Sequence, residues 1–143
     1  MRSYKEEEAF QLKTGLVLVG HGSRAPESLG VYEEIADFVE GSSDYVVKVG
    51  YMKHGRPNII EALRQLIEEG VKRIVVVPLF ILPGLHVQED IPVLLGLKDG
   101  EAPDFGYGRI RVPDDVDILY ASHIGADERL AEVVLDRARE VLE

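Results

Sequence analysis

Apolar positions recur along this chain in two alternating rhythms. Leu16 to Val19 is a continuous apolar run between glycines, which fits a strand buried on both faces. Pro26 to Glu40 then places Leu29, Tyr32, Ile35, Ala36 and Val39 at helical spacing, with Gly41 as the stop. Tyr45 to Tyr51 reads as a second strand. Asn58 to Glu69 reads as a second helix, with Ile59, Ile60, Leu63, Leu66 and Ile67 on one side, Pro57 near its start and Gly70 past its end. Arg73 to Phe80 is a third, strongly apolar strand. His86 to Leu97 has helical character, restricted by Pro92. Residues 98–113 are rich in Gly, Pro and charge and predict a surface loop. Val116 to Ala121 predicts a fourth strand. Ala126 to Leu142 predicts an amphipathic helix with Leu130, Val133, Val134, Ala138 and Val141 turned inward.

Strand and helix thus alternate four times. The expected architecture is α/β, a four-stranded parallel sheet flanked by helices on both faces and joined by right-handed crossovers. The length of 143 residues suits one domain. We expect an N-terminal extension over residues 1–14 and a single domain over 15–143. No internal repeat is visible.

Composition narrows the chemistry. The chain has no cysteine, so thiolate zinc sites, Fe–S ligation and a cysteine nucleophile drop out. Any metal must be held by His, Asp, Glu or a bound ligand. Lys and Arg number 16 against 26 Asp and Glu, a formal net charge of −10. Without a basic patch of adequate length, nucleic acid is a poor partner. No apolar run reaches the length of a membrane span, and the N-terminus lacks an apolar signal-peptide core. The expectation is a cytoplasmic protein with no membrane partner.

In parallel α/β sheets, ligands bind beyond the carboxyl ends of the strands. Four segments are expected there: "GHGSR", "MKHGRP", "ILPGLHVQED" and "SHIGAD". Each carries one of the four histidines, His21, His54, His86 and His123. Gly20 and Gly22 would let the backbone turn sharply and aim His21 into a crevice. As a neutral imidazole it suits a metal ligand or general base. The bland alternative is a satisfied turn histidine, and the loop could instead cradle a phosphate. It contains neither of the usual phosphate-loop signatures, so nucleotide binding is a weak signal.

His86 follows Gly84 and precedes Glu89 and Asp90. A helix starting there disfavours the protonated ring. Glu89, at i+3, is close enough to orient the ring or share a ligand role; the bland alternative is that both acids are ordinary first-turn residues. His54 and His123 read equally as solvated turn and strand-end residues. Arg24, Lys53 and Arg56 would place positive charge at the mouth of the crevice, which suits an anionic substrate. Ser23 lies in no nucleophile elbow. Two distant histidines with carboxylates nearby and no thiols suit a borderline divalent ion such as Co2+ or Ni2+.

"VLVGHGSR", "VVVPLFILPGLHVQEDIP" and "GADERLAEVVLDRARE" together resemble the small class II tetrapyrrole chelatases of the short archaeal CbiX type. The similarity runs from about Gly15 to Glu143. It implies a chelatase-like fold and a homodimer that recreates the paired halves of longer relatives. It also implies insertion of Co2+ into sirohydrochlorin without ATP, towards cobalamin, and in methanogens of Ni2+ towards coenzyme F430. No permanently bound cofactor is implied; the metal is a substrate. The family histidines map onto His21 and His86, as metal ligands that afterwards accept the pyrrolic protons, with Glu89 assisting. Arg24, Lys53 and Arg56 would hold the macrocycle's carboxylates, with Gly84, Leu85 and His123 lining its site. The chain departs from the family pattern at "YMKHGRP", Pro83 and His123. An additional histidine at 54 or 123 would make a more histidine-rich, nickel-competent site. The competing readings are a non-catalytic metal or tetrapyrrole carrier on the same fold, and a nucleotide- or flavin-binding regulator.

Overall fold

The computed structural model describes residues 2–6 and 13–143. Four parallel strands form one sheet in the order β2-β1-β3-β4: β1 (Thr14–Gly20), β2 (Val46–Tyr51), β3 (Arg73–Pro78) and β4 (Asp117–Tyr120). The helices are α1 (Pro26–Gly41), α2 (Ile59–Glu68), α3 and α4 (Glu128–Leu142). The third begins as a π-helical turn, His86–Asp90, and continues as one α turn, Ile91–Leu94.

β1 is central, paired with β2 from Gly15 opposite Val46 and with β3 from Thr14 opposite Arg73. Its alternate side chains serve two cores, as the period of two requires. Val17 and Val19 pack with α2 and α3, through Leu63, Leu66, Ile91 and Leu94. Leu16 and Leu18 pack with α1, through Ala36, Leu29, Tyr32 and Ile35. Helices therefore lie on both faces, as expected. A fully buried Leu63 or Ile74 contributes about 1.5–3 kcal/mol.

α2 starts at a capping box: Asn58 Oδ1 accepts from the Glu61 amide at 2.8 Å, and Glu61 Oε1 accepts from the Asn58 amide at 3.0 Å. Gly70 follows at φ +96°, the left-handed exit that favours glycine.

Three expectations need correction. β3 stops at Pro78 rather than Phe80, although Leu79 N still donates to Val19 O of β1 at 2.9 Å. Residues 98–113 are more than a surface loop. Ile110 is buried in the α2/α3 core, with Phe105, Tyr107 and Val112 packed against it. Four apolar side chains among glycines and prolines hold an irregular segment down without any period to announce them. Finally, α4 buries none of its residues. Val133, Val134 and Val141, expected inward, are 46%, 67% and 85% exposed. The amphipathic stripe is real, but this chain's own sheet does not cover it. Part of the N-terminal extension lies outside the described residues. Within it, Arg2 Nη1 donates to the Glu69 carbonyl at 3.3 Å, and Thr14 already belongs to β1.

Candidate active site

The loops after β1 and β2 are zipped together beyond the sheet. Met52 N donates to Gly20 O at 2.9 Å, Lys53 N to His21 O at 3.0 Å, and Ser23 N to His54 O at 3.2 Å. Gly22 makes this possible. Its φ is +96°, and a Cβ there would stand 1.5 Å from the Lys53 carbonyl oxygen. Only glycine lets the two backbones approach this closely. The consequence is that His21 and Lys53 leave the sheet side by side.

His86 arrives from the other flank, at the first position of the π-helical turn. The His21 and His86 ring centroids are 6.1 Å apart, with planes at 65°. Residues far apart in sequence thus meet at the carboxyl edge of the sheet, with a cavity of about 280 Å³ lined by His21, Phe80, Leu82, Gly84, His86 and Val87. With metal–imidazole bonds of about 2.0–2.1 Å, two rings on one ion have centroids roughly 5–6.5 Å apart. The observed spacing falls in that range. Among the described residues, no group of three or more His, Cys, Asp or Glu stands where it could hold an ion.

The carboxylate on His86 is not the expected one. Asp90 Oδ2 accepts from His86 Nδ1 at 2.8 Å. Glu89 instead accepts from Lys98 Nζ at 2.6 Å, on the surface. The expectation rested on α-helical spacing, where i+3 and i+4 share a face; the π winding favours i+4.

An aromatic residue from the 98–113 segment completes the cluster. Phe105 meets the His86 ring at 5.7 Å between centroids, edge on at 61°. Lys53 Nζ lies 5.2 Å from the Phe105 centroid, a cation–π contact. Tyr107 anchors the segment by donating to Met52 O at 2.9 Å and Tyr51 O at 3.3 Å. Burial pushes its hydroxyl up to about 12. Sequence reasoning missed both aromatics; a Phe-Gly-Tyr-Gly run was the one available signal.

The remaining candidates are spread along the same edge. His54, Arg56, Lys53 and Glu61 line a second cavity of about 380 Å³ with Phe105 and Tyr107. Arg56 pairs with Glu61, whose carboxyl is held below its usual range by the Asn58 amide and this guanidinium. Arg24 is exposed beside the first loop. Leu82, 76% exposed, gives the histidine cavity an apolar wall, and Leu85 is 73% exposed in the same loop. His123 lines a third cavity, about 390 Å³, with Tyr120, Ser122 and Gln88. His54 and His123 therefore do not join the His21–His86 pair, and the more histidine-rich site is not assembled in this chain.

A parallel α/β sheet with two histidine rings facing each other at its carboxyl edge defines the class. The chain belongs to the CbiX family, whose model matches residues 15–141. It is 45% identical over 137 residues to a protein of Methanopyrus kandleri named sirohydrochlorin cobaltochelatase, covering 89% of this chain and 96% of that one. A protein of the same name from Methanocaldococcus jannaschii is 38% identical, covering 86% and 96%. Among solved structures, the cobalt complex of the sirohydrochlorin chelatase SirB from Bacillus subtilis superposes with a TM-score of 0.74 at 23% identity. That match covers 91% of this chain and 51% of SirB. A cobalamin-biosynthesis CbiX protein from Marinobacter aquaeolei superposes at 0.67 with 25% identity, covering 90% and 97%.

Proposed function

We propose that this protein inserts Co2+ into sirohydrochlorin, with Ni2+ as a second accepted metal, without ATP and in the cytoplasm. The observation that carries the reading is the His21–His86 pair, 6.1 Å apart, in a chain 45% identical to a named sirohydrochlorin cobaltochelatase. Two imidazoles leave most of an ion's coordination sphere open. The macrocycle's nitrogens can then displace the remaining ligands one at a time. As the metal leaves, both imidazoles become free to accept the pyrrolic protons. The exposed Leu82 and Leu85 offer an apolar face to a flat ring. Lys53, Arg24 and Arg56 offer charge to its carboxylates, with Arg56 first released from Glu61.

The test is anaerobic absorbance of purified protein with sirohydrochlorin and Co2+, Ni2+ or Fe2+, at sub-stoichiometric enzyme. Multiple turnovers above the spontaneous rate support a chelatase and rank the metals. Tight binding without turnover would make the protein a carrier.

The working unit is a homodimer. α4 carries an unpartnered apolar stripe through Val133, Val134 and Val141. The edge beside β4 carries an apolar groove of about 490 Å³, lined by Leu95, Leu97, Ile110, Val112 and Leu119. Both features sit on one chain, so a two-fold pair covers both at once. The chain also matches only 51% of SirB, and a second copy supplies a comparable length.

A further inference from the structure

His86 opens the π-helical turn and Asp90 closes it, with the Ile91 amide donating back to His86 O. A π turn closes its hydrogen bonds from i to i+5, wider than the i to i+4 of an α turn. Residue i+4 then stands over residue i, and Asp90 comes within 2.8 Å of the His86 ring. The neighbouring acid, Glu89, is held away by Lys98. Asp90 is thus the carboxylate on this ring, and it engages Nδ1 specifically. Phe105 meets the same ring edge on.

An ionised carboxylate only accepts hydrogen bonds, so Nδ1 must carry the proton. A neutral imidazole has one ring proton. With it on Nδ1, the lone pair is on Nε2. A histidine free in solution populates both tautomers, and the Nε2–H form would have no lone pair at Nε2 for an ion or a proton.

We propose that Asp90 is a positioning residue that fixes His86 as the Nδ1–H tautomer, making Nε2 the atom that binds metal and takes the proton. The π-helical turn selects which acid reaches that nitrogen, Asp90 at i+4 and not Glu89 at i+3. This rests on His86 having the role proposed above.

The first test is long-range 1H–15N correlation on the metal-free, 15N-histidine-labelled protein at about pH 8. The wild type shows the Nδ1–H pattern for His86, and Asp90→Asn shifts it towards Nε2–H. Affinity for Co2+ alone then falls about 10–100-fold in Asp90→Asn. Chelation kcat falls with it while KM for sirohydrochlorin holds, and Asp90→Glu recovers part of both. An Nε2–H pattern in the wild type overturns the proposal, as does wild-type Co2+ affinity in Asp90→Asn. Should Asp90→Asn fail to fold, the wild-type tautomer decides. If the tautomer and Co2+ results hold but wild-type protein never turns over, the chelatase reading falls and the positioning role stands.

Discussion

The ring of His21, one residue past the end of β1, stands 6.1 Å from the ring of His86 at the head of a π-helical turn. Neither element alone makes a site. If the pair handles the metal and its exchanged protons, His21→Ala and His86→Ala each lower chelation at least about a hundredfold. Steady-state rates with Co2+ check this. Near wild-type rates in both variants would remove the pair from the chemistry.

The zipped loops make a second prediction. In Gly22→Ala the new Cβ meets the Lys53 carbonyl, and the left-handed φ is strained besides. The expected loss is about 1–3 kcal/mol or more. It is read as a lower melting temperature, with activity falling further than stability because His21 and Lys53 move.

Phe105 supports the His86 ring and lies under the Lys53 ammonium. Phe105→Ala should raise KM for sirohydrochlorin and lower kcat, while Phe105→Tyr keeps both near wild type. The cation–π part alone is about 0.5–2 kcal/mol, since both groups are half-buried. Equal kinetics in the alanine variant would make the segment a mere cover for the core.

Charge on the α4 stripe tests the dimer. Val134→Glu places a carboxylate in the middle of it. Sedimentation of the wild type should give twice the 15.9 kDa chain mass, and the variant should sediment as a monomer. A wild-type monomer would leave the stripe to some other cover.

Alkaline stability follows from the tyrosines. Burial pushes Tyr107 and Tyr120 from 10.0 up to about 12. An unfolded tyrosine therefore releases its proton first, and proton release favours the unfolded chain. Stability from these hydroxyls is complete below pH 10 and is lost as pH rises towards 12. Denaturant melts across that range should show the decline, with a shallower one in Tyr107→Phe.

What the sequence determined by itself is whatever depends on neighbours along the chain. The apolar run Leu16–Val19 and the helical spacing of Ile59 to Ile67 fixed strands, helices and their alternation, because burial enforces those periods. Their alternation implied a parallel sheet, and with it one edge where every post-strand loop, each with its histidine, must lie. Tertiary structure decided the rest. It chose His21 and His86 as the pair that meets, and left His54 and His123 in cavities of their own. It brought Phe105 and Tyr107 back onto the site from a segment without periodicity. A local winding change put Asp90 rather than Glu89 on His86. The stripe on α4 was legible as a pattern. What covers it was not, because hydrophobic periodicity says that a face must be buried and never against which surface.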